Sequence, residues 1–250
     1  MAALSCTVKH DKLTCTLCSA RFTSRNALFK HLKDCSLINN KSTFLMENLG
    51  KINFLKVPVN NAAYLFIGGG RLRGKTLASV EKLNLKSMEW TQCPPMQENR
   101  GSHSYCSVDR KLYSFGGGGL KSNLSTCECY HYESNQWSYI NPMPSSRHAL
   151  STVSNQLNIF AVGGWIDGST CSSAVECYNL LEGSWNAHAP LLKARRLFGL
   201  ASFDENLFVF GGQCDDPEWY TETAERYDPV GFDYLFRGLK FNKLSLSLNF

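Results

Sequence analysis

Short apolar runs recur along the chain: Tyr64-Leu-Phe-Ile67, Leu112-Tyr-Ser-Phe115, Ile159-Phe-Ala-Val162 and Leu207-Phe-Val-Phe210. Runs of this length, rich in aromatic and β-branched residues, predict buried strands rather than helices. Each is closed by a glycine pair, Gly68-Gly69, Gly116-Gly117, Gly163-Gly164 and Gly211-Gly212, giving a period near 48 residues. Glycine there permits a sharp turn and a close backbone approach. Further markers keep the same ruler. A glutamate with a bulky residue two positions on follows each pair: Glu81/Leu83, Glu128/Tyr130, Glu176/Tyr178 and Glu225/Tyr227. Seven residues after the bulky residue stand Trp90, Trp137 and Trp185, with Tyr234 in the fourth copy. Sixteen residues before three of the pairs stand Arg100, Arg147 and Arg195, while Ile52 holds that slot in the first copy. Pro95, Pro142 or Pro144, and Pro190 mark the exits after the tryptophans.

A repeat of this length is one supersecondary unit that cannot bury its own faces, so neighbouring copies must stack. The double glycine, Glu–Tyr and Trp markers together resemble the kelch repeat, over most of residues 52–234. The resemblance implies a mainly β fold: a kelch-type β-propeller with four recognisable four-stranded blades, at about 52–96, 97–143, 144–191 and 192–234. It places arginine on the first strand, the glycines at the end of the second, Glu and Tyr on the third and Trp on the fourth. Kelch propellers usually close with more blades than four, so an incomplete ring is expected, with unpaired edges that invite association. Residues 235–250 form a divergent tail without the repeat's markers.

Ahead of the repeats, Cys15-Thr-Leu-Cys18 is followed by twelve residues, then His31, then three residues, then Cys35. Zinc takes four such ligands in a tetrahedron. Two cysteines three apart can grip it from a turn, and His31 and Cys35, four apart, share one face of a helix. Phe22 and Leu28 fall where so small a module needs its core. The segment 13–36 resembles the two-cysteine, two-histidine zinc finger with Cys35 in place of the last histidine and Leu13 in place of the usual aromatic. By that resemblance Ser24, Asn26, Ala27 and Lys30 would face base edges, with Arg21, Arg25 and Lys33 at phosphates. One finger covers only about three base pairs, so a zinc-stapled structural or protein-contact module is the competing reading. Residues 37–51 read as a linker.

Charge separates the two parts. Residues 1–60 carry nine Lys or Arg against three Asp or Glu, and residues 61–250 carry 17 against 18. The basic character therefore belongs to the finger segment, which favours an acidic partner there. Apolar residues are 43% and charged residues 19% of the chain, which excludes wholesale disorder. Neither a membrane-length apolar stretch nor a signal-peptide pattern is read, so an intracellular protein, cytoplasmic or nuclear, is expected. The eleven cysteines are then read as metal ligands or as small buried apolar residues. Gly69-Gly-Arg-Leu-Arg-Gly-Lys75-Thr76 fits a phosphate-loop expression, but such a loop must open a helix, and the repeat assigns Ala78–Leu85 to a strand.

These features favour a protein-interaction module over an enzyme. No nucleophile elbow, clustered histidines or paired catalytic carboxylates stand out. In kelch proteins that recruit substrates to ubiquitin ligases, a less favoured reading for this chain, first-strand arginines can hold acidic motifs, which implies Arg100, Arg147 and Arg195 as partner contacts. The competing reading is that they only tie the blades together. Loops after the glycines, around Arg71, Arg73, Lys121, Asp167 and Asp215, would shape specificity. A nucleic-acid-associated regulator is the alternative, the finger docking on DNA or RNA while the propeller holds a protein.

Overall fold

The computed structural model describes residues 8–9, 12–14, 21–22, 53–56, 63–119, 122–155, 157–166, 170–215, 219–229 and 236–240. No helix occurs among the described residues. The architecture is four antiparallel four-stranded sheets, in chain order, plus smaller hairpins. Blade I comprises Asn53–Lys56, Ala63–Gly68, Val80–Asn84 and Glu89–Cys93. Blade II comprises Ser104–Val108, Lys111–Phe115, Cys127–His131 and Gln136–Ile140. Blade III comprises Ser151–Asn155, Asn158–Val162, Val175–Asn179 and Ser184–His188. Blade IV comprises Gly199–Phe203, Asn206–Phe210, Thr223–Tyr227 and Phe236–Lys240. The last strand pairs with Thr223–Tyr227 through an irregular register, so the fourth sheet extends past residue 234.

The first strands of successive blades lie against one another, I on II, II on III and III on IV. The sheets therefore fan outward from a shared axis, as propeller blades do. Period-two alternation explains why the apolar runs are continuous. In the second strand of blade II, Leu112 faces a core shared with blade I, while Tyr113 and Phe115 face a core shared with blade III. In blade III, Ile159 and Ala161 turn back to blade II, and Phe160 and Val162 turn forward to blade IV. A strand buried on both faces reads as a near-continuous apolar run, broken in blade II only by the small, buried Ser114.

The markers of blades II and III act as predicted, with two corrections, while Ile52 and Tyr234 lie outside the described residues. Trp137 lies opposite Tyr130, and its indole N–H donates to the Pro94 carbonyl at the exit of blade I, 3.0 Å away. Trp185 repeats this, lying opposite Tyr178 and donating to the Asn141 carbonyl of blade II at 2.9 Å. Each tryptophan thus staples its blade to the preceding one. The first correction concerns glycines. Gly68 is still strand, opposite Val80, and the left-handed pair is Gly69-Gly70, with φ of 64° and 95°. That matches Gly116-Gly117 at 55° and 106°. Three glycines in a row hid the one-residue offset. The second correction is that Arg100, Arg147 and Arg195 precede the first strands, in the straps that lead into them.

In blade I the first hairpin runs from Lys56 to Ala63, whereas blade II turns in two residues, Asp109-Arg110. A ruler measured upstream of the glycines falls out of step across that longer connection. No arginine stands between Arg25 and Arg71, so the first copy lacks this marker whatever the ruler.

Candidate partner-binding face

The strands meet loops of two kinds. At one end are tight turns, such as Asp109-Arg110 and Asp204-Glu205, whose positive φ values at both residues suit the strand twist. At the other end the chain leaves each glycine pair into a longer excursion before the third strand. The expected specificity loops sit at this second end.

The three repeat arginines lie beneath this face and are fully buried. Arg100 donates from Nη2 to Glu128 Oε1 at 2.9 Å and from Nη1 to the carbonyls of Gly116 and Thr126 at 2.9 and 2.7 Å. Arg147 pairs with Glu176 at 2.7 Å, and its Nη2 donates to the Ala161 carbonyl at 3.1 Å. Arg195 pairs with Glu225 and donates to the carbonyls of Gly211 and Thr223 at 2.8 and 3.1 Å. The glutamates also take backbone amides: Gln97 N–H to Glu128 at 2.7 Å, and Leu192 N–H to Glu225 at 2.9 Å. Each guanidinium is therefore occupied by a carboxylate of its own repeat. The expected contact with a partner's acidic motif finds no free fork here, because the repeat's own marker glutamate already fills it.

One and two positions further on the chain reaches the inner rim, where Ser102 and Leu197 are exposed, His148 and Arg196 half-buried, and Gly101 and Ala149 buried. Ser102, Ala149 and Leu197 occupy equivalent places, all with positive φ. The Ala149 amide donates to the Ser102 carbonyl at 2.7 Å, and the Leu197 amide to the Ala149 carbonyl at 3.0 Å. This ladder runs from blade to blade around the inner rim. Outside it, Gly101, His148 and Arg196 bridge to Gly118, Trp165 and Gln213, the residues that directly follow the glycine pairs.

Side chains bind these loops across the blade boundaries. The exposed Arg71 lies over the Gly101–Gly118 bridge, so close that a methyl on Gly118 would sit 2.9 Å from its Nη2. Asn123 joins blades II and III, with its Oδ1 2.7 Å from His148 Nδ1 and its Nδ2 donating to the Trp165 carbonyl at 3.0 Å. The Arg196 guanidinium lies over the Trp165 ring, with its carbon 3.4 Å from the ring centroid. Asp215 accepts the Cys171 amide. Leu72, Leu197, Trp219 and Tyr220 are exposed on these same loops and straps.

Arg73 and Gly74, both at positive φ, form the turn of a small hairpin, Arg71–Leu72 with Lys75–Thr76. The next regular element is the strand Val80–Asn84. The phosphate-loop match therefore lacks the helix whose N-terminus would hold a phosphate.

Lys121 and Asp167 lie outside the described residues, as do Cys15, Cys18, His31, Cys35, Ser24, Asn26, Ala27 and Lys30. In that region Lys12–Thr14 pairs antiparallel with Arg21–Phe22, so a hairpin brackets the segment that holds Cys15 and Cys18. Among the described residues no group of His, Cys, Asp and Glu could hold a metal.

The seven described cysteines are buried and unpaired with one another. Burial pushes the Cys106, Cys129 and Cys177 thiols up to about 11 and Cys127 to about 12. Cys171 is raised to about 12, by burial first and then by the Asp215 carboxylate. Such thiols are inert packing groups, not nucleophiles.

The residues that sequence reasoning missed are His148, Trp165 and Arg196. Their signal lay in plain view: each directly follows a marker, Arg147, Gly164 or Arg195. The repeat markers drew attention to the framework, and the variable neighbours carry the surface.

Stacked four-stranded sheets with buried Arg–Glu braces and a variable loop face define a propeller-type repeat domain. Residues 54–212 match the KLHDC2/KLHL20/DRC7 Kelch-repeats domain. The chain belongs to the kelch-repeat family. It is 34% identical over 106 residues to kelch-like protein 26 of Danio rerio, covering 41% of this chain and 17% of that protein. It is 32% identical over 101 residues to kelch-like protein 35 of Mus musculus, covering 40% of this chain and 18% of that protein. The leucine-zipper-like transcriptional regulator 1 homolog of Drosophila melanogaster is 29% identical over 136 residues, 47% of this chain and 13% of that protein. The chain thus spans less than a fifth of the length of these relatives. No described helix is long and apolar enough to cross a membrane.

Proposed function

We propose that this chain is a protein-interaction or adaptor module that holds a protein partner on the loop face beyond the glycine pairs. The observation that carries the reading is the division of labour between neighbours. Arg100, Arg147 and Arg195 are consumed by the framework, while Arg71, Leu72, Leu197, Trp219 and Tyr220 stand exposed at one end of the blades. Aromatic and arginine side chains on rigidly held loops are the usual anchors of protein interfaces. Buried thiols and framework-bound carboxylates leave no group poised for turnover among the described residues, which supports binding over catalysis.

The N-terminal segment is proposed as a zinc-stapled module, held by Cys15, Cys18, His31 and Cys35. The ligand spacing and the hairpin around the cysteine pair support it. Zinc content of the intact protein, with and without Cys18→Ser, tests this part. The basic charge of residues 1–60 supports nucleic acid as an alternative partner of that segment, and such binding would weaken steeply with added salt.

The test of the main reading is proximity capture with the full chain, comparing Arg71→Glu/Leu72→Glu on the loop face with Leu181→Glu at the opposite end. Leu72 and Leu181 are both well exposed, at 61% and 76%. Partners lost with the first variant and kept with the second support the reading. Partners that persist with the first and vanish with Leu181→Glu or Cys18→Ser overturn it.

A further inference from the structure

We infer that the outward sheet face of blade IV joins two copies of this chain, face to face about a two-fold axis. The inference goes beyond the loop-face reading and does not depend on it, since it concerns a sheet face and not the loops.

The three apolar cores fill the junctions I–II, II–III and III–IV. At the last of these, blade III presents Phe160, Val162, Val175 and Cys177, and blade IV answers with Leu207, Val209 and Tyr227. Strand alternation then turns Phe208 and Phe210 away from that core. Ala201 and Gly199 lie opposite them on the first strand, which ends at Phe203. Phe160 is 2% exposed, whereas Phe210 is 40% and Phe203 68% exposed. Blade IV therefore carries a junction face in the register of the other blades, with its aromatic side chains in solvent. An apolar patch of this kind on a rigid sheet marks an association site.

At the other junctions such a face is covered by the sheet face of another blade, so the occupant is a surface of the same kind. A second copy has two terminal blades to offer. The back face of blade I is already covered within its own chain. Leu65 and Leu83, opposite each other and turned away from the I–II core, are 8% and 2% exposed. The face left open on a second copy is its own blade IV. Like meeting like is a two-fold contact, which closes at two copies instead of growing into a filament. The patch suits this pairing. Small and large follow one another along the first strand, from Gly199 through Ala201 to Phe203, so a copy turned end for end sets its phenylalanine over the glycine.

Arg226 makes this contact unlike a permanent blade junction. It lies opposite Phe208, where blades II and III bury Cys129 and Cys177, and its Nε donates to Asn206 Oδ1 at 3.0 Å. A charge is costly to bury unpaired, so the contact centres on the first two strands and leaves the third at a wet rim. Two patches of this size bury on the order of 1,000 Å² together, the lower bound for a specific interface, so the dimer is reversible and concentration-dependent.

The experiment is sedimentation velocity of the full chain under reducing conditions, from about 1 to 100 µM. The chain should pass from monomer to dimer across this range, equally at low and high salt, because the contact is apolar. Association through the basic segment 1–60 would weaken with salt instead. Phe203→Asp and Ala201→Glu should each weaken dimerisation at least about ten-fold. Leu72→Asp on the loop face and Leu181→Asp at the tight-turn end should leave it unchanged. Both patch positions are exposed, so the urea midpoint of dilute protein should not move. If it moves for Phe203→Asp, Ala201→Glu carries the test. Labelled Phe203→Asp mixed with the unsubstituted chain reads the symmetry. A two-fold contact leaves this mixed pair weak, whereas a head-to-tail contact lets the unsubstituted blade IV hold blade I of the variant at full strength. Monomer at every concentration, a dimer that survives both patch variants, a dimer lost with Leu72→Asp or Leu181→Asp, growth beyond two copies, or full-strength mixed pairs each overturns the inference. Partners still captured through Arg71 and Leu72 by a chain that stays monomeric would leave the loop-face reading standing.

Discussion

Arg100 and Glu128 face each other within blade II with no solvent at either side chain, Nη2 to Oε1 at 2.9 Å. The pair joins the strap entering the blade to its third strand, and the same arginine ties down the carbonyls of Gly116 and Thr126. A buried charge is tolerable only when paired and fully bonded. The repeat supplies both partners from one 48-residue unit, and Arg147–Glu176 and Arg195–Glu225 copy the arrangement.

Removing one member of such a pair strands the other in the interior. Arg147→Met and Glu176→Gln, made separately, should each cost about 3–5 kcal/mol in urea unfolding. The double variant should recover part of that loss but not all of it, because the Ala161 carbonyl loses its donor.

The tryptophan staples should be worth less. Trp137→Phe keeps a ring among Tyr105 and Tyr130 but loses the N–H bond to the Pro94 carbonyl. A loss of about 1 kcal/mol is expected, from the bond and the smaller ring together. The same denaturant titration measures it, and Trp185→Phe serves as an internal repeat.

Gly164 has φ of 112°, and a Cβ there would lie 2.9 Å from the His148 carbonyl oxygen. Gly164→Ala therefore meets both a backbone penalty and a clash with an atom that the His148–Trp165 bridge holds in place. About 2 kcal/mol or more of destabilisation is expected. Gly74→Ala, with nothing within 4 Å of the added methyl, should cost less despite its φ of 79°.

Much of this architecture was legible because the repeat writes its framework in few residue types. Alternating apolar runs, the Glu–Tyr pair and the tryptophan each place a strand, and four copies exclude coincidence. Three consecutive glycines, Gly68 to Gly70, concealed which two turn left-handed, since only the strand register distinguishes them. The burial of Arg100, Arg147 and Arg195 was not legible, because the guanidinium that suits a partner's carboxylate suits Glu128, Glu176 and Glu225 equally well. Arg196 was missed for the complementary reason. The place after the marker arginine changes from repeat to repeat, Gly101, His148 and Arg196, and the contact with Trp165 joins positions on two different blades. The proposed zinc ligands lie outside the described residues, so their reading stands on spacing and on the Lys12–Thr14/Arg21–Phe22 hairpin.

The cysteines give a pH-dependent test. Burial raises the thiols of Cys106, Cys127, Cys129 and Cys177 above the free-thiol value of about 8.5. A group raised on folding contributes stability that is fully present below the unfolded value and is lost as pH climbs toward the folded one. Unfolding free energy should therefore hold up to about pH 8 and fall steadily between about pH 9 and 11. At pH 8 these four thiols should resist a disulfide reagent in the native protein and react at once in denaturant.

The central claim is that partners meet the loops beyond the glycine pairs. Hydrogen-exchange footprinting of the full chain, with and without a captured partner, tests it most directly. The account predicts new protection at residues 71–76, 101–102, 148–149, 165–166, 196–197 and 213–215. Protection confined to the turns at 109–110, 133–135, 181–183 and 204–205, at the other end of the blades, would contradict it.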